Sequence, residues 1–265
     1  MAMRGNFKQE IEKLVNELGS TNPSTREEAA KALAQYGALL RSEALQPLIK
    51  ALTDEDSSVR CYAAGALGAL GDSRAIPALL NSLHTDNGKN NYDQPVKVFA
   101  TTALGRIGNK QVFEELVALL DNPDPSLREA AADALGALGD IRAFEYLVAL
   151  LTDKDYGLRM NAVYALCELG DNRAIQPLTQ ILKQDENVEV RRYAARWLYM
   201  LKDEKSFQAL IKALEDQDED VRYFSIESLG KLGDRRALPY LTELREKELD
   251  VTVKEITNQV IWQLS

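Results

Sequence analysis

One short pattern recurs along the whole chain and restricts its fold more than any other feature. An Asp or Asn is followed four residues later by Arg or Lys, usually behind Val or Leu, and then by small residues, Leu and a Gly-rich end. The clearest copies are Val59-Arg60-Cys61-Tyr62-Ala63-Ala64-Gly65-Ala66-Leu67-Gly68-Ala69-Leu70-Gly71-Asp72 and Leu127-Arg128…Ala131-Ala132…Leu135-Gly136-Ala137-Leu138-Gly139-Asp140. The basic residue is Arg26, Arg60, Lys97, Arg128, Arg159, Arg191, Arg222 and Lys254, at spacings of 34, 37, 31, 31, 32, 31 and 32. Seven copies are full and the eighth is partial. A period near 31 residues with helical spacing inside it predicts a helical solenoid, in which each repeat contacts only its neighbours. For such a chain the question is which surface holds a partner.

Counting the basic residue as position 0, position −4 is Asn22, Asp56, Asp93, Asp124, Asp155, Asn187, Asp218 or Asp250. All are N-cap types, whose side-chain oxygens accept a backbone N–H of the first helical turn. Pro23 and Pro125 follow at the first helical position, where a missing N–H costs nothing. A helix, B, therefore starts near 23, 57, 94, 125, 156, 188, 219 and 251. Positions −1, +3, +4, +7 and +10 are mostly Val, Ala and Leu, one buried stripe. Gly at +11 (71, 108, 139, 170 and 233) suits a left-handed C-terminal cap. Asp72, Asp140, Asp171 and Asp234 then cap the next helix, A, with starts near 7, 42, 73, 110, 141, 172, 204 and 235. The Arg at position 0 is expected to meet Asp side chains of adjacent turns and form a ladder. Its presence in unit after unit marks architecture, not catalysis.

Hydrophobic content of 45% suffices for a long, thin core, and the net charge of −9 sets the partner class. An acidic chain repels nucleic acid and anionic lipid unless it carries a concentrated basic face, and no basic face spans several repeats. Cys61 and Cys167 lie three repeats apart, so an internal disulfide is not expected, and their use fits a reducing compartment. The start, Met1-Ala2-Met3-Arg4-Gly5-Asn6-Phe7, leads into an amphipathic helix without an apolar signal core. No run is long enough to span a bilayer. The expected location is cytoplasmic, with no membrane contact.

Residues 56–80 and 155–178 resemble HEAT repeats of the phycobilisome-lyase subtype, whose hallmark reads D-x-x-V-R-x-x-A-A-x-A-L-G-x-L-G-D-x-R-A-I-P-x-L. The resemblance implies an all-α fold, a right-handed α-solenoid of about eight helix pairs with the B helices lining its concave face. The whole chain, 1–265, then forms one solenoid with units near 7–38, 42–71, 73–108, 110–139, 141–170, 172–202, 204–233 and 235–265. Proteins of this subtype include bilin lyases of cyanobacteria, relatives implicated in phycobilisome turnover, assembly adaptors and a di-iron hydroxylase of deoxyhypusine. The hydroxylase is excluded, because it needs several His-Glu pairs as iron ligands and this chain has one His, His84. No metal ligand set, catalytic residue or phosphate loop can be assembled. The acidic turns around Asp54 and Asp216 are caps rather than calcium loops, since Val221 stands where such a loop needs Gly.

On the B helices the positions not used for packing are +1, +2, +5 and +9. Six of these 32 positions are Tyr or Phe, where 18 aromatics in 265 residues would place about two, so the stripe is read as a recognition surface. Its candidate binding residues are Tyr62, Phe99, Met160, Tyr164, Arg192, Tyr193, Arg196, Tyr223 and Phe224, joined by Tyr199 at +8. The alternative is that Tyr62, Phe99 and Phe224 tuck sideways into helix packing. Unit six breaks the repeat: Trp197 replaces the small residue at +6, Tyr199 replaces Gly at +8, and Lys202 replaces the capping Gly. Trp197 and Tyr199 either fill an irregular joint or join the patch. Arg192 and Arg196, four apart, share one helix face and present forks suited to carboxylates. Unit three adds a polar loop over residues 84–95.

The expected function is that of a non-catalytic adaptor or assembly factor gripping a protein in the concave groove, with no cofactor. Under the resemblance the partner is a phycobiliprotein or a second HEAT-repeat subunit. The alternative is a bilin lyase subunit that attaches or removes a phycobilin at a partner cysteine. In that case Arg192 and Arg196 would hold propionates, and Tyr164, Tyr193 and Tyr199 would line the chromophore.

Overall fold

A computed structural model describes residues 2–37, 42–84 and 94–265, and every regular element among them is helical. Most of the 84–95 loop therefore lies outside the described residues. The chain divides into two compact units, Met1–Leu138 and Gly139–Ser265. The first holds α1 (Ala2–Glu17), α2 (Pro23–Tyr36), α3 (Leu45–Ala51), α4 (Ser57–Leu70), α5 (Ile76–His84), α6 (Gln94–Ile107), α7 (Phe113–Leu119) and α8 (Pro125–Leu138). The second holds α9 (Phe144–Leu150), α10 (Tyr156–Leu169), α11 (Ile175–Gln184), α12 (Val188–Trp197), α13 (Glu204–Ala213), α14 (Glu219–Leu232), α15 (Leu238–Lys247) and α16 (Val251–Leu264).

The even-numbered helices are the expected B helices, and each begins at its expected residue. Asn22, Asp56, Asp155, Asn187, Asp218 and Asp250 cap them by accepting a backbone N–H of the first turn. Odd-numbered helices are mostly entered through a 3-10 turn, as at Ser73–Ala75 and Asn172–Ala174, which Asp72 and Asp171 cap. The first odd helix, expected near residue 7, starts at Ala2 instead. Gly71, Gly108, Gly139, Gly170 and Gly233 all have φ between 61° and 72°, the left-handed conformation that only Gly adopts without steric cost.

Within each unit an even helix packs on its odd partner and on the even helices before and after it. The seam between successive even helices has one register: position +8 of one meets position +6 of the next. A Cβ built on Gly68 would lie 2.7 Å from the Ala103 Cα, and one on Gly105 would lie 2.6 Å from the Ala134 Cα. On Gly230 it would meet a Val260 methyl at 3.0 Å. Two helices this close exclude water and are held by dispersion over the buried Ala and Leu stripe.

The ladder joins the same helices at their N-terminal ends. Arg159 donates from Nη1 to the carbonyl of Asp153 at 2.8 Å, fastening its own α9–α10 turn. Its Nε and Nη2 grip both oxygens of Asp185 in the next unit at 2.9 Å. Asp185 in turn accepts the backbone N–H of Asn187 at 2.9 Å, fixing the turn into α12. Arg26 repeats this with Asp54, and Arg222 with Glu248. Arg191 reaches Asp216 more loosely, at 3.3–3.4 Å. Arg60 and Arg128 make the same bonds to the carbonyls of their own turns. The rungs are buried: the side chains of Arg159 and Asp185 are 7% and 5% exposed.

Unit six is the exception to the seam. Tyr199 stands at +8, which is Gly in α4, α6, α8 and α14, and Trp197 stands at +6, which is Ala in the first five even helices. The α pattern of α12 ends at Trp197, and Leu198–Leu201 continue as a 3-10 turn. Ser228, the +6 residue of α14, donates its hydroxyl to the carbonyl of Ala195 at 2.7 Å. The turn closes on Lys202 with φ 46°, the only non-Gly residue with positive φ among those described.

Three outcomes follow from this architecture. Arg159→Ala strands the buried Asp185 carboxylate and should lower stability by about 3 kcal/mol in urea unfolding; a loss below about 1 kcal/mol would remove the ladder as a structural element. Glu248 is held below its ordinary value of 4.5, first by the Arg222 fork and further by the backbone N–H groups of Asp250 and Leu249. Its contribution is present above the unfolded-state pKa and is lost as pH falls through the folded one. Glu248→Gln should therefore lower stability at pH 7 and flatten its decline between about pH 5 and 3; an acid limb identical to wild type contradicts this. Lys202→Gly relieves the left-handed lysine and should stabilise the fold by roughly 0.5–1 kcal/mol.

Candidate partner-binding site

The irregular joint brings aromatic residues of three consecutive even helices together. Tyr164 of α10 meets the Trp197 ring edge-on, with centroids 5.0 Å apart, and Tyr193 meets the same ring from α12 at 6.1 Å. On α14, Tyr223 and Phe224 contact each other edge-on at 5.4 Å. The Arg196 guanidinium bridges the two groups, 5.7 Å from the Trp197 centroid and 5.3 Å from that of Phe224. Farther along the same seam the Lys231 ammonium lies 5.0 Å over the Tyr199 ring and pairs with Glu227 at 3.1 Å. These are edge-to-face and cation–π distances, so the rings gain from mutual quadrupole contact as well as from burial.

Each ring is half-buried, with one face on the helices and one in solvent. Trp197 explains the gathering. Its seam position has no room for an indole, so the ring lies across Tyr164 and beside Tyr193. Its Nε1 is buried and finds no hydrogen-bond acceptor. A buried donor without a partner costs about 1–3 kcal/mol, a local sacrifice within a well-packed repeat.

The two arginines that share a face have different roles. Arg192 gives Nε and Nη2 to Asp218 at 2.9 and 2.7 Å and Nη1 to Glu189 at 2.8 Å, with Asp220 at 3.2 Å from Nη2. Hydrogen bonding to Asp218 is the main cause that raises its pKa, and the same bond lowers that of Asp218. Asp218 is the N-cap of α14, so Arg192 adds a second rung beside the ladder. Arg196 is exposed, and its side chain contacts the two rings and no carboxylate.

Met160 is half-buried on α10, one turn before Tyr164. Tyr164 donates its hydroxyl to Glu168 at 2.9 Å. In the first unit Tyr62 is half-buried on α4, whereas Phe99 of α6 is 40% exposed and lies against Gly65, whose Cβ would meet the ring at 3.6 Å. Sideways packing and exposure thus combine at Phe99. Lys231 stands at +9 of α14, and its place over the Tyr199 ring arises only where the two helices meet. His84 is exposed at the end of α5, and Cys61 and Cys167 are buried and not joined in a disulfide. Burial pushes the Cys167 thiol up to about 12, which keeps it protonated and unreactive. No helix among the described residues is long and apolar enough to cross a membrane.

Known proteins agree with this architecture. The family model for HEAT repeats matches residues 11–90, 89–167, 140–186 and 175–261. The chain is 38% identical over 112 residues to phycocyanobilin lyase subunit alpha of Picosynechococcus sp. (strain PCC 7002), a match that spans 40% of this chain and 40% of that relative's length. Among solved structures it resembles the complex of CpcE and CpcF of phycocyanin lyase from Nostoc sp. PCC7120, with a TM-score of 0.59 and 22% identity over 96% of this chain and 94% of that one. It also resembles YibA of Escherichia coli, with a TM-score of 0.55 and 23% identity over 98% and 96% of the two chains. At those identities the likeness is one of fold. The repeat model, the helix pairs and their register together assign the chain to a family: it belongs to the HEAT-repeat proteins.

Proposed function

We propose that this chain is a non-catalytic adaptor or assembly factor that binds a phycobiliprotein through a groove lined by its even-numbered helices. The observation that carries this reading is the aromatic cluster on α10, α12 and α14. Tyr, Trp and Arg are the residue types that dominate binding energy at protein interfaces, and here they cluster on three neighbouring helices. The sequence similarity to a phycocyanobilin lyase subunit supports a phycobiliprotein as the partner class. A second HEAT-repeat subunit would occupy the same role if the chain works as one half of a pair.

The same similarity favours one other reading, a bilin lyase subunit that attaches or removes a phycobilin at a partner cysteine. The tyrosines of the joint would then line the chromophore. The two readings separate in one experiment. Phycocyanobilin is mixed with the chain, with and without an apo-phycocyanin subunit, and the visible spectrum and circular dichroism are followed. An adaptor leaves the pigment spectrum unchanged yet retains the phycocyanin subunit on an affinity column. A lyase subunit shifts the spectrum or produces a pigmented phycocyanin band that survives denaturation. For either reading, Tyr193→Ala with Tyr223→Ala should lower retention of phycocyanin by at least about tenfold with helical content unchanged. Equal retention by the double variant would move the binding surface elsewhere.

A further inference from the structure

The charge inventory of the second unit singles out one side chain. Of its ten arginines, eight have a carboxylate partner: Arg142 with Asp140, Arg159 with Asp185, Arg173 with Asp171, Arg191 with Asp216, Arg192 with Asp218, Arg222 with Glu248, Arg236 with Asp234 and Arg245 with Glu246. Arg235 donates to the carbonyl of Ser265. Arg196 alone has neither, although the chain carries 41 acidic residues against 32 basic ones. What surrounds it instead is the Trp197 ring and the Phe224 ring.

A guanidinium between two rings has lost part of its water without gaining an anion. Its planar fork remains free to bind a carboxylate through two parallel N–H bonds, and the rings lower the local dielectric around such a pair. The same joint holds a second polar group without an acceptor, the Trp197 indole N–H. It also contains the strained Lys202 and the 3-10 break. The indole N–H, the 3-10 break and the left-handed Lys202 thus all fall beside Arg196, within residues 196–202. Local rules fail together where something outside the fold sets the requirement.

We infer that Arg196 is a carboxylate anchor: it receives an Asp or Glu side chain of the protein partner in the slot between Trp197 and Phe224, while Arg192 serves only the scaffold. This deepens the proposed function and rests on it for the identity of the partner. Charge complementarity selects an acidic residue, since the acidic chain repels anionic partners generally and exposes here a cation with no internal competitor. The forked guanidinium beside two rings also predicts that lysine cannot replace it, because an ammonium keeps the charge but does not fork.

The test uses the whole chain carrying Trp262→Phe, so that Trp197 gives the one remaining indole N–H signal in a proton–nitrogen correlation spectrum. Poly-L-glutamate and sodium acetate, at matched carboxylate concentration, serve as probes, and phycocyanin retention is measured in parallel. Expected are a saturable shift of the Trp197 signal with poly-L-glutamate at a concentration at least tenfold below that needed for acetate, and loss of that response in Arg196→Gln and Arg196→Lys. Arg106→Gln, which removes an exposed arginine without rings or a carboxylate partner, should respond like the parent. Retention of phycocyanin should fall at least tenfold in both Arg196 variants. An unchanged response in the Arg196 variants overturns the anchor, and so does acetate as effective as poly-L-glutamate, which would make the slot a small-molecule carboxylate site. If phycocyanin is retained equally by parent and Arg196→Gln, the adaptor reading stands and the anchor falls. If the Trp197 response depends on Arg196 but phycocyanin is never retained, the anchor stands and the partner assignment falls.

Discussion

Successive even-numbered helices approach through a seam that is Gly at +8 in four of them and mostly Ala at the facing +6. Gly68 against Ala103 and Gly105 against Ala134 bring backbone almost to backbone, and the Ala and Leu stripe closes around them. The caps, the left-handed glycines and the arginine rungs all operate at the ends of these helices and hold them in that register. A ladder rung without the seam would be a salt bridge in water, worth little. With the seam it becomes a buried fork whose acceptor also orders the next turn.

The same constraint accounts for the candidate site. Trp197 and Tyr199 stand where other units carry Ala and Gly, and there α12 gives way to a 3-10 turn while the indole lies over Tyr164. Ser228 then supplies the hydroxyl that satisfies the Ala195 carbonyl. The contacts of Trp197 with Tyr164 and Tyr193 thus lie at the one joint where the repeat is broken.

Nearly all of the secondary structure was legible in the chain, because N-cap, helix stripe and C-terminal glycine all sit at set offsets from one basic residue. The ladder was legible in kind, since an arginine repeated every 31 residues or so must meet something equally periodic. Its details were not: each fork closes on an acidic residue about 26 positions later, a distance that only stacking makes short. A second series went unnoticed for the same reason. Arg173 lies 4.0 Å over the Phe144 ring and Arg236 lies 4.9 Å over the Phe207 ring, so the Asp-x-Arg steps that open the odd helices also bind one odd helix to its predecessor. The stripe at +1, +2, +5 and +9 treated Arg192 and Arg196 alike, and only the structure separates them.

By itself the sequence determined which residues form helices, where each helix starts and ends, and which stripe is buried, because those depend on interactions within a few residues of one another. It also determined the family, since the period and the offsets are properties of the linear chain. Only the tertiary structure decided which cations are already neutralised. Asp218, 26 positions beyond Arg192, reaches its fork, whereas no carboxylate reaches that of Arg196. Whether a charged side chain is a rung or a free hand depends on what the neighbouring repeat places against it, and that proximity arises from folding, not from order along the chain.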